Sequence, residues 1–179
     1  MARFTIIVSK FPVVRAITGI ALKGSSLAAR IWSHMRFHAI LKDAGNSNCH
    51  WTVEIKYPEN IRIGDSVSIG PYCCLGAKSP IIIENYVRIS RGVQIETARL
   101  AMREPPPYRH TSRPITIRQG AWIGTNAILL GGVEIGEGAI IGAGVVVRKD
   151  VPPGAVIVGA ENNLLECGHR VFKGDNAPA

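Results

Sequence analysis

The chain has 179 residues, 46% of them hydrophobic, with 19 glycines and 11 prolines. That size suits one domain with an added segment, and the apolar content is too high for a disordered chain. The net charge is +8, but with only 6% aromatic residues and no recognisable nucleic-acid-binding motif, the basic balance does not point to nucleic acid.

The charge sits at the front. Residues 1–45 hold Arg3, Lys10, Arg15, Lys23, Arg30, Arg36 and Lys42 against Asp43 alone, so that segment supplies +6 and everything after it about +2. The opening "MARFTIIVSK" has too short an apolar run for a leader peptide. The apolar stretch at 11–22 is cut by Arg15 and falls short of the roughly 20 residues a membrane span needs. A cytoplasmic location is expected, with the inner face of the membrane as an option. Residues 11–41 read as helix. Arg15, Lys23 and Arg30 fall on one side at 100° per residue, and Ile17, Ile20, Leu27, Ile31 and Met35 on the other. "KGSS" is expected to divide it into two helices. Such basic amphipathic helices either pack on the rest of the chain or on a sister subunit, or make peripheral contact with an anionic membrane. The expected division is a basic, largely helical segment at 1–50, a main domain at 51–165 and a tail at 166–179.

From Ile63 the chain falls into sixes: "IGDSVS", "IGPYCC", "LGAKSP". After a short slip it resumes at Ile83 with "IENYVR", "ISRGVQ", "IETARL", and after a break at Ile117 with "IRQGAW", "IGTNAI", "LLGGVE", "IGEGAI", "IGAGVV", "VRKDVP". The first position is Ile, Leu or Val in all twelve. A period of six fits neither an amphipathic helix nor an alternating strand. It fits a chain that runs straight, turns, and runs straight again. Three runs make a triangular coil of 18 residues, in which each inward aliphatic stacks on the one 18 residues on, as Ile117 on Ile135. Glycine and asparagine recur at the corners, where positive φ is expected. The fold class is therefore all-β, a parallel β-helix solenoid that needs several coils to bury its core.

The repeat stops at residues 99–113, a protruding loop with "EPPPY" and four arginines (Arg99, Arg103, Arg109 and Arg113). Long loops in compact folds carry function. Of the five histidines only His110 lies here. His34 and His38 lie in the helical segment, His50 before the repeats and His169 after them. The cysteines (Cys49, Cys73, Cys74 and Cys167) include no C-x-x-C and no metal-ligand spacing, so reduced thiols and no metal are expected.

"PITIRQGAWIGTNAILLGGVEIGEGAIIGAGVVVRKDVPPGAVIVG", residues 114–159, resembles the hexapeptide-repeat acyltransferases. It is most similar to the maltose, galactoside and colanic-acid sugar O-acetyltransferases, and the likeness covers residues 57–165. The resemblance implies a left-handed coil, a homotrimer, and acetyl-CoA held in the cleft between subunits. It implies coenzyme contacts at Trp122, Gly124, Thr125 and Ala143, with Arg148 and Lys149 as a basic pair for the phosphates. Asn163 and Glu166 stand where the family often has arginines, a role that Arg170 or Lys173 could take over. The implied reaction is transfer of acetyl to a sugar hydroxyl in surface polysaccharide synthesis. The acceptor would be a carbohydrate, a nucleotide-sugar or a lipid-linked glycan.

Such transfer needs a base for the hydroxyl, and histidine suits it. Aligning "QIETARL" with the family's "I-x-T-A" strand puts Leu100 where that histidine is expected. His110 is the candidate to replace it, similar in placement to the histidine of "R-H-P-x-I" in the serine acetyltransferases, with Glu96, Glu104 or Asp65 to orient it. The competing reading, carried by Leu100, is a catalytically silent β-helix that binds a ligand or a partner. A γ-type carbonic anhydrase would need zinc-binding histidines on the coils, and none of the twelve hexapeptides contains one.

Overall fold

The computed structural model describes residues 12–41, 44–101 and 103–159. Three parallel sheets form the faces of a left-handed β-helix of about five turns. The first face stacks Asn48–Cys49, Ser68–Ile69, Arg88–Ile89, Trp122–Ile123, Ile140–Ile141 and Val156–Ile157. The second stacks Glu54–Lys56, Cys74–Gly76, Gln94–Glu96, Ile128–Leu130 and Val146–Val147. The third stacks Ile61–Ile63, Ile81–Ile83, Ile115–Ile117 and Glu134–Ile135, and Val151 adds a further bridge to Ile135.

The twelve first-position aliphatics are all buried, from Ile63 to Val147. They stack as the period requires: Ile117 registers with Ile135, Ile123 with Ile141 and Leu129 with Val147. The early coils differ from the 18-residue expectation. Cys49 registers with Ile69, and Ile63 with Ile83, a spacing of 20. The two extra residues lie in the corner before the third face, at "KYPEN" and "GAKSP". The ladder also begins earlier than Ile63. Asn48–Cys49 and Glu54–Lys56 form a first coil whose sequence, "NCHWTVEIK", lacks the hexapeptide signature. The corners are left-handed, at Asn126 as expected, but also at Ser66, Tyr57, Tyr72 and Tyr86. A non-glycine residue there costs about 1–2 kcal/mol. Inter-coil bonds offset the cost: the Tyr86 amide donates to Asp65 O (2.9 Å) and the Tyr72 amide to Thr52 Oγ1 (2.9 Å).

The N-terminal segment is one helix, α1 (Pro12–Ile40), and not two. Gly24 inside it costs roughly 1 kcal/mol, but the stretches on either side are rich in Ala and Leu, and the helix runs through. The helix packs on the first coil, though not with the stripe read from its periodicity. Phe37 and Leu41 are buried against the coil, whereas Leu27, Ile31 and Met35 are exposed. The Trp51 amide donates to Ser33 Oγ (3.0 Å), and Arg36 Nη1 donates to Trp51 O (3.1 Å) and Val53 O (3.2 Å). This seals the open end of the solenoid, whose first coil has no neighbour to bury its face.

Candidate active site

The break in the repeat folds as an antiparallel hairpin, Ala98–Leu100 against His110–Ser112, at the corner between the second and third faces. Its base is stapled to the coils by Thr97, which is fully buried. Thr97 Oγ1 donates to Gly76 O (2.8 Å) and accepts from the Ser79 amide (3.0 Å), and the Arg113 amide donates to Thr97 O (3.0 Å). Ser79 and Ser112 add a hydroxyl–hydroxyl bond of 2.7 Å, and Glu96 Oε1 accepts from the Ala98 amide (3.0 Å). These bonds fix the base of the arm to the coils.

The register sets what the arm presents. His110 pairs with Leu100, Thr111 with Arg99 and Ser112 with Ala98. Ala101 and Arg109 are bonded through the Ala101 amide (2.9 Å). Hydrogen-bonded and non-bonded pairs alternate, so Leu100 and His110 form a non-bonded pair, whose side chains come closest and share one face. His110 is exposed. The other face carries Arg99 and Thr111. With Leu100, Arg103 and Arg113 they line a cavity of about 480 Å³. Arg99 is held by Gly131 O (3.3 Å), and Glu104, the acid of that cavity, is taken by Arg109 (2.8 Å). The arginine face escapes a sequence reading because only the strand register shows which arginines share a side.

Three expected coenzyme residues lie together on a different edge. Trp122 stands outward on the first face, half-exposed, its indole Nε1–H donating to Ser90 Oγ (3.1 Å). Thr125 and Ala143 occupy successive turns of the corner between the first and second faces, both exposed. Gly124 is buried there, and a Cβ on it would lie 2.6 Å from Ile141 O and 2.8 Å from Ala143 N. The next coil's backbone therefore dictates glycine at 124, whether or not a ligand approaches. Arg148 and Lys149 follow Val146–Val147 and are exposed at the hairpin's edge of the prism.

One chain thus sets Trp122, Thr125 and Ala143 on one edge and His110, Arg148 and Lys149 on another, with the second face between. None of the expected orienting acids touches His110. Glu104 is paired with Arg109, Glu96 with the Ala98 amide, and Asp65 accepts from the Asn46 amide (3.3 Å). His34 and His38 lie on α1, in ring contact with each other (4.3 Å), and His50 Nδ1 bonds Thr52 Oγ1 (2.8 Å). Cys49, Cys73 and Cys74 are free thiols. Burial, with a lesser push from Cys73, raises the Cys49 thiol to about 12. Asn163, Glu166, Cys167, His169, Arg170, Lys173 and the expected tail lie outside the described residues.

Comparison with known proteins agrees with this architecture. Residues 114–149 match the family described as bacterial transferase hexapeptide (six repeats). A protein of Schizosaccharomyces pombe described as an acetyltransferase is 37% identical over 106 residues, 58% of this chain and 51% of its own. A 2,3,4,5-tetrahydropyridine-2,6-dicarboxylate N-acetyltransferase of Staphylococcus aureus is 40% identical over 68 residues, 38% of this chain and 27% of its own. The chain spans about half the length of the first relative and about a quarter of the second. A hexapeptide-repeat-containing acetyltransferase from Vibrio cholerae superposes with a TM-score of 0.66 at 26% identity, over 78% of this chain and 86% of that one. A maltose O-acetyltransferase from Clostridium difficile gives 0.63 at 30% identity, over 68% and 67%. A galactoside acetyltransferase in complex with coenzyme A gives 0.52 at 30% identity, over 58% and 53%.

Proposed function

The chain belongs to the hexapeptide-repeat acyltransferases, and from that premise we propose that it transfers acetyl from acetyl-CoA to a sugar hydroxyl, with His110 as the base. One observation carries the proposal: His110 stands beside Leu100 on one face of a stapled hairpin. Position 100 is where the family resemblance places the histidine. A histidine one strand across stands on the same face, which supports an active site despite Leu100.

The chemistry follows from this placement. The neutral imidazole of His110 accepts the proton of the acceptor hydroxyl as its oxygen attacks the thioester carbon. The carbon–sulfur bond then breaks, and the imidazolium returns the proton to the leaving thiolate. The products are an O-acetyl sugar and free coenzyme A. Trp122, Thr125 and Ala143 line the edge along which the pantetheine arm would run, and Arg148 and Lys149 supply cations for its phosphates. The coenzyme edge and the histidine edge face different ways on one chain. A complete site is therefore built between adjacent chains, which supports the homotrimer. The galactoside acetyltransferase bound to coenzyme A supports the cosubstrate. The arginine-lined cavity of the hairpin suits an anionic part of the acceptor, as in a nucleotide-sugar or a lipid-linked glycan of surface polysaccharide synthesis. Consumption of acetyl-CoA supports a cytoplasmic location.

The test is acetyl-CoA-dependent thiol release with a panel of sugars, amino sugars and nucleotide-sugars, run for wild type and His110→Ala. Turnover lost in the variant, with coenzyme A still bound, supports the reading. Turnover that survives overturns His110 as base. Coenzyme binding with no turnover on any acceptor favours a silent binding protein. Transfer confined to amines would move the activity towards that named for the staphylococcal relative.

A further inference from the structure

Over its described side chains, helix α1 has two apolar sides, and one of them is buried against the solenoid. Ser33, Phe37 and Leu41 face the first coil and are buried. Leu27, Ile31 and Met35 fall within about 80° of one another at 100° per residue, roughly opposite Ser33. They are 58%, 54% and 61% exposed, and Trp32 beside them is 59% exposed. Four large apolar side chains on three turns are far more than a solvated helix face carries, and contiguous apolar surface of this kind marks an interaction site. Leu27, Ile31 and Met35, though not Trp32, also border a cleft of about 720 Å³ between the helix and residues 48–50 and 68–71 of the first two coils.

The charge around the strip is one-signed. The helix sequence holds Arg15, Lys23, Arg30 and Arg36 and no Asp or Glu. Residues 1–45 carry seven cations and one anion. Arg30 and His34 line the cleft beside the strip. No helix among the described residues is long and apolar enough to cross a membrane. An apolar strip with a tryptophan, flanked by cations on a helix that cannot span, has the composition of a helix lying in the headgroup region of an anionic bilayer. Trp32 is the residue type that settles at that boundary, with an apolar ring and a polar N–H.

We propose that α1 docks the protein on anionic membrane surfaces through Leu27, Ile31, Trp32 and Met35, with Arg30 beside them meeting lipid phosphates. Ser33, Arg36 and Phe37 hold the helix to the solenoid, so docking fixes the orientation of the whole β-helix. The proposal does not depend on acyl transfer and stands or falls separately from it.

The test is co-sedimentation of the full chain with vesicles. Binding is expected to mixed phosphatidylglycerol–phosphatidylcholine vesicles, weakened about tenfold or more on pure phosphatidylcholine or in about 0.5 M NaCl. Vesicles should shift tryptophan emission to the blue, and Trp32→Phe should remove most of that shift although Trp51 and Trp122 remain. The double variant Leu27→Glu/Ile31→Glu, or the milder Ile31→Ser, should bind vesicles at least about tenfold more weakly. Its melting temperature and solution mass should equal those of wild type. Absence of binding to anionic vesicles overturns the proposal. So does undiminished binding by the double variant. A double variant that falls to a smaller oligomer would instead make this strip a contact between copies of the chain.

Discussion

His110 and Leu100 face each other across the hairpin as a pair that exchanges no backbone hydrogen bonds, so their side chains rise side by side from one face. Their Cα atoms in such a pair are about 4.5 Å apart. Position along the chain separates the two residues by ten, but the space their side chains reach overlaps. His110→Ala should lower kcat by about 100-fold or more. The exchange Leu100→His/His110→Leu should restore a large part of that loss. Steady-state rates of thiol release for the three proteins decide it. An exchange variant as inactive as His110→Ala would show that the imidazole is needed at 110 for some other reason.

Thr97 is the positioning residue for this arm. Its hydroxyl joins Gly76 O to the Ser79 amide inside the protein. Thr97→Val keeps the shape and removes both bonds, leaving the half-buried Ser79 amide unpaired at a cost of about 1 kcal/mol. The expected result is a lower kcat with an unchanged dissociation constant for coenzyme A, together with a lower melting temperature. Thr97→Ser should recover the rate. A variant that loses stability but keeps kcat would make Thr97 a staple without influence on the histidine.

The double variant Arg148→Ala/Lys149→Ala should raise KM for acetyl-CoA by about tenfold or more and leave kcat nearly unchanged, because both cations are exposed and their assigned role is to meet the coenzyme phosphates, not the reacting atoms. The wild-type KM should rise with salt and the variant's should not. Equal KM values would remove the pair from the coenzyme site.

Gly124 separates two explanations for a glycine-rich edge. A methyl group there meets the carbonyl of Ile141 and the amide of Ala143 on the next coil, backbone atoms with no freedom to turn aside. Gly124→Ala should therefore cost about 1–3 kcal/mol and lower the melting temperature by about 2–4 °C for each kcal/mol. Thermal melts in the absence of coenzyme test this. An unchanged melting temperature with a raised KM would return Gly124 to a purely ligand-facing role.

The solenoid was legible because its rule is local: an aliphatic every sixth residue must point inward, and all twelve do. The first coil was not, because Cys49 and Val53 bury there without the Ile–Gly punctuation that marks later coils. The unbroken helix was hidden by the low propensity of Gly24, which its surroundings override. Its packed side was hidden because α1 has two apolar stripes and the periodicity favoured the one that is left exposed. The candidate base was legible as a lone histidine in a break. Its relation to Leu100 was not, since the register depends on how Thr97 and Arg113 close the hairpin.

Cys49 gives the solenoid an alkaline weakness. Burial is the main cause that raises its thiol from 9.0 to about 12, Cys73 adds to it, and Arg36 opposes it. The folded thiol stays protonated while the unfolded one ionises near 9.0. Its contribution to stability is therefore complete below pH 9 and is lost as pH rises towards 12. The steepest loss from one such group is about 1.4 kcal/mol per pH unit. Urea midpoints measured from pH 8 to pH 11 should fall along this limb. Cys49→Ala should start lower, from the space it leaves, and fall less steeply. Parallel limbs for the two proteins would show that other groups govern the alkaline transition.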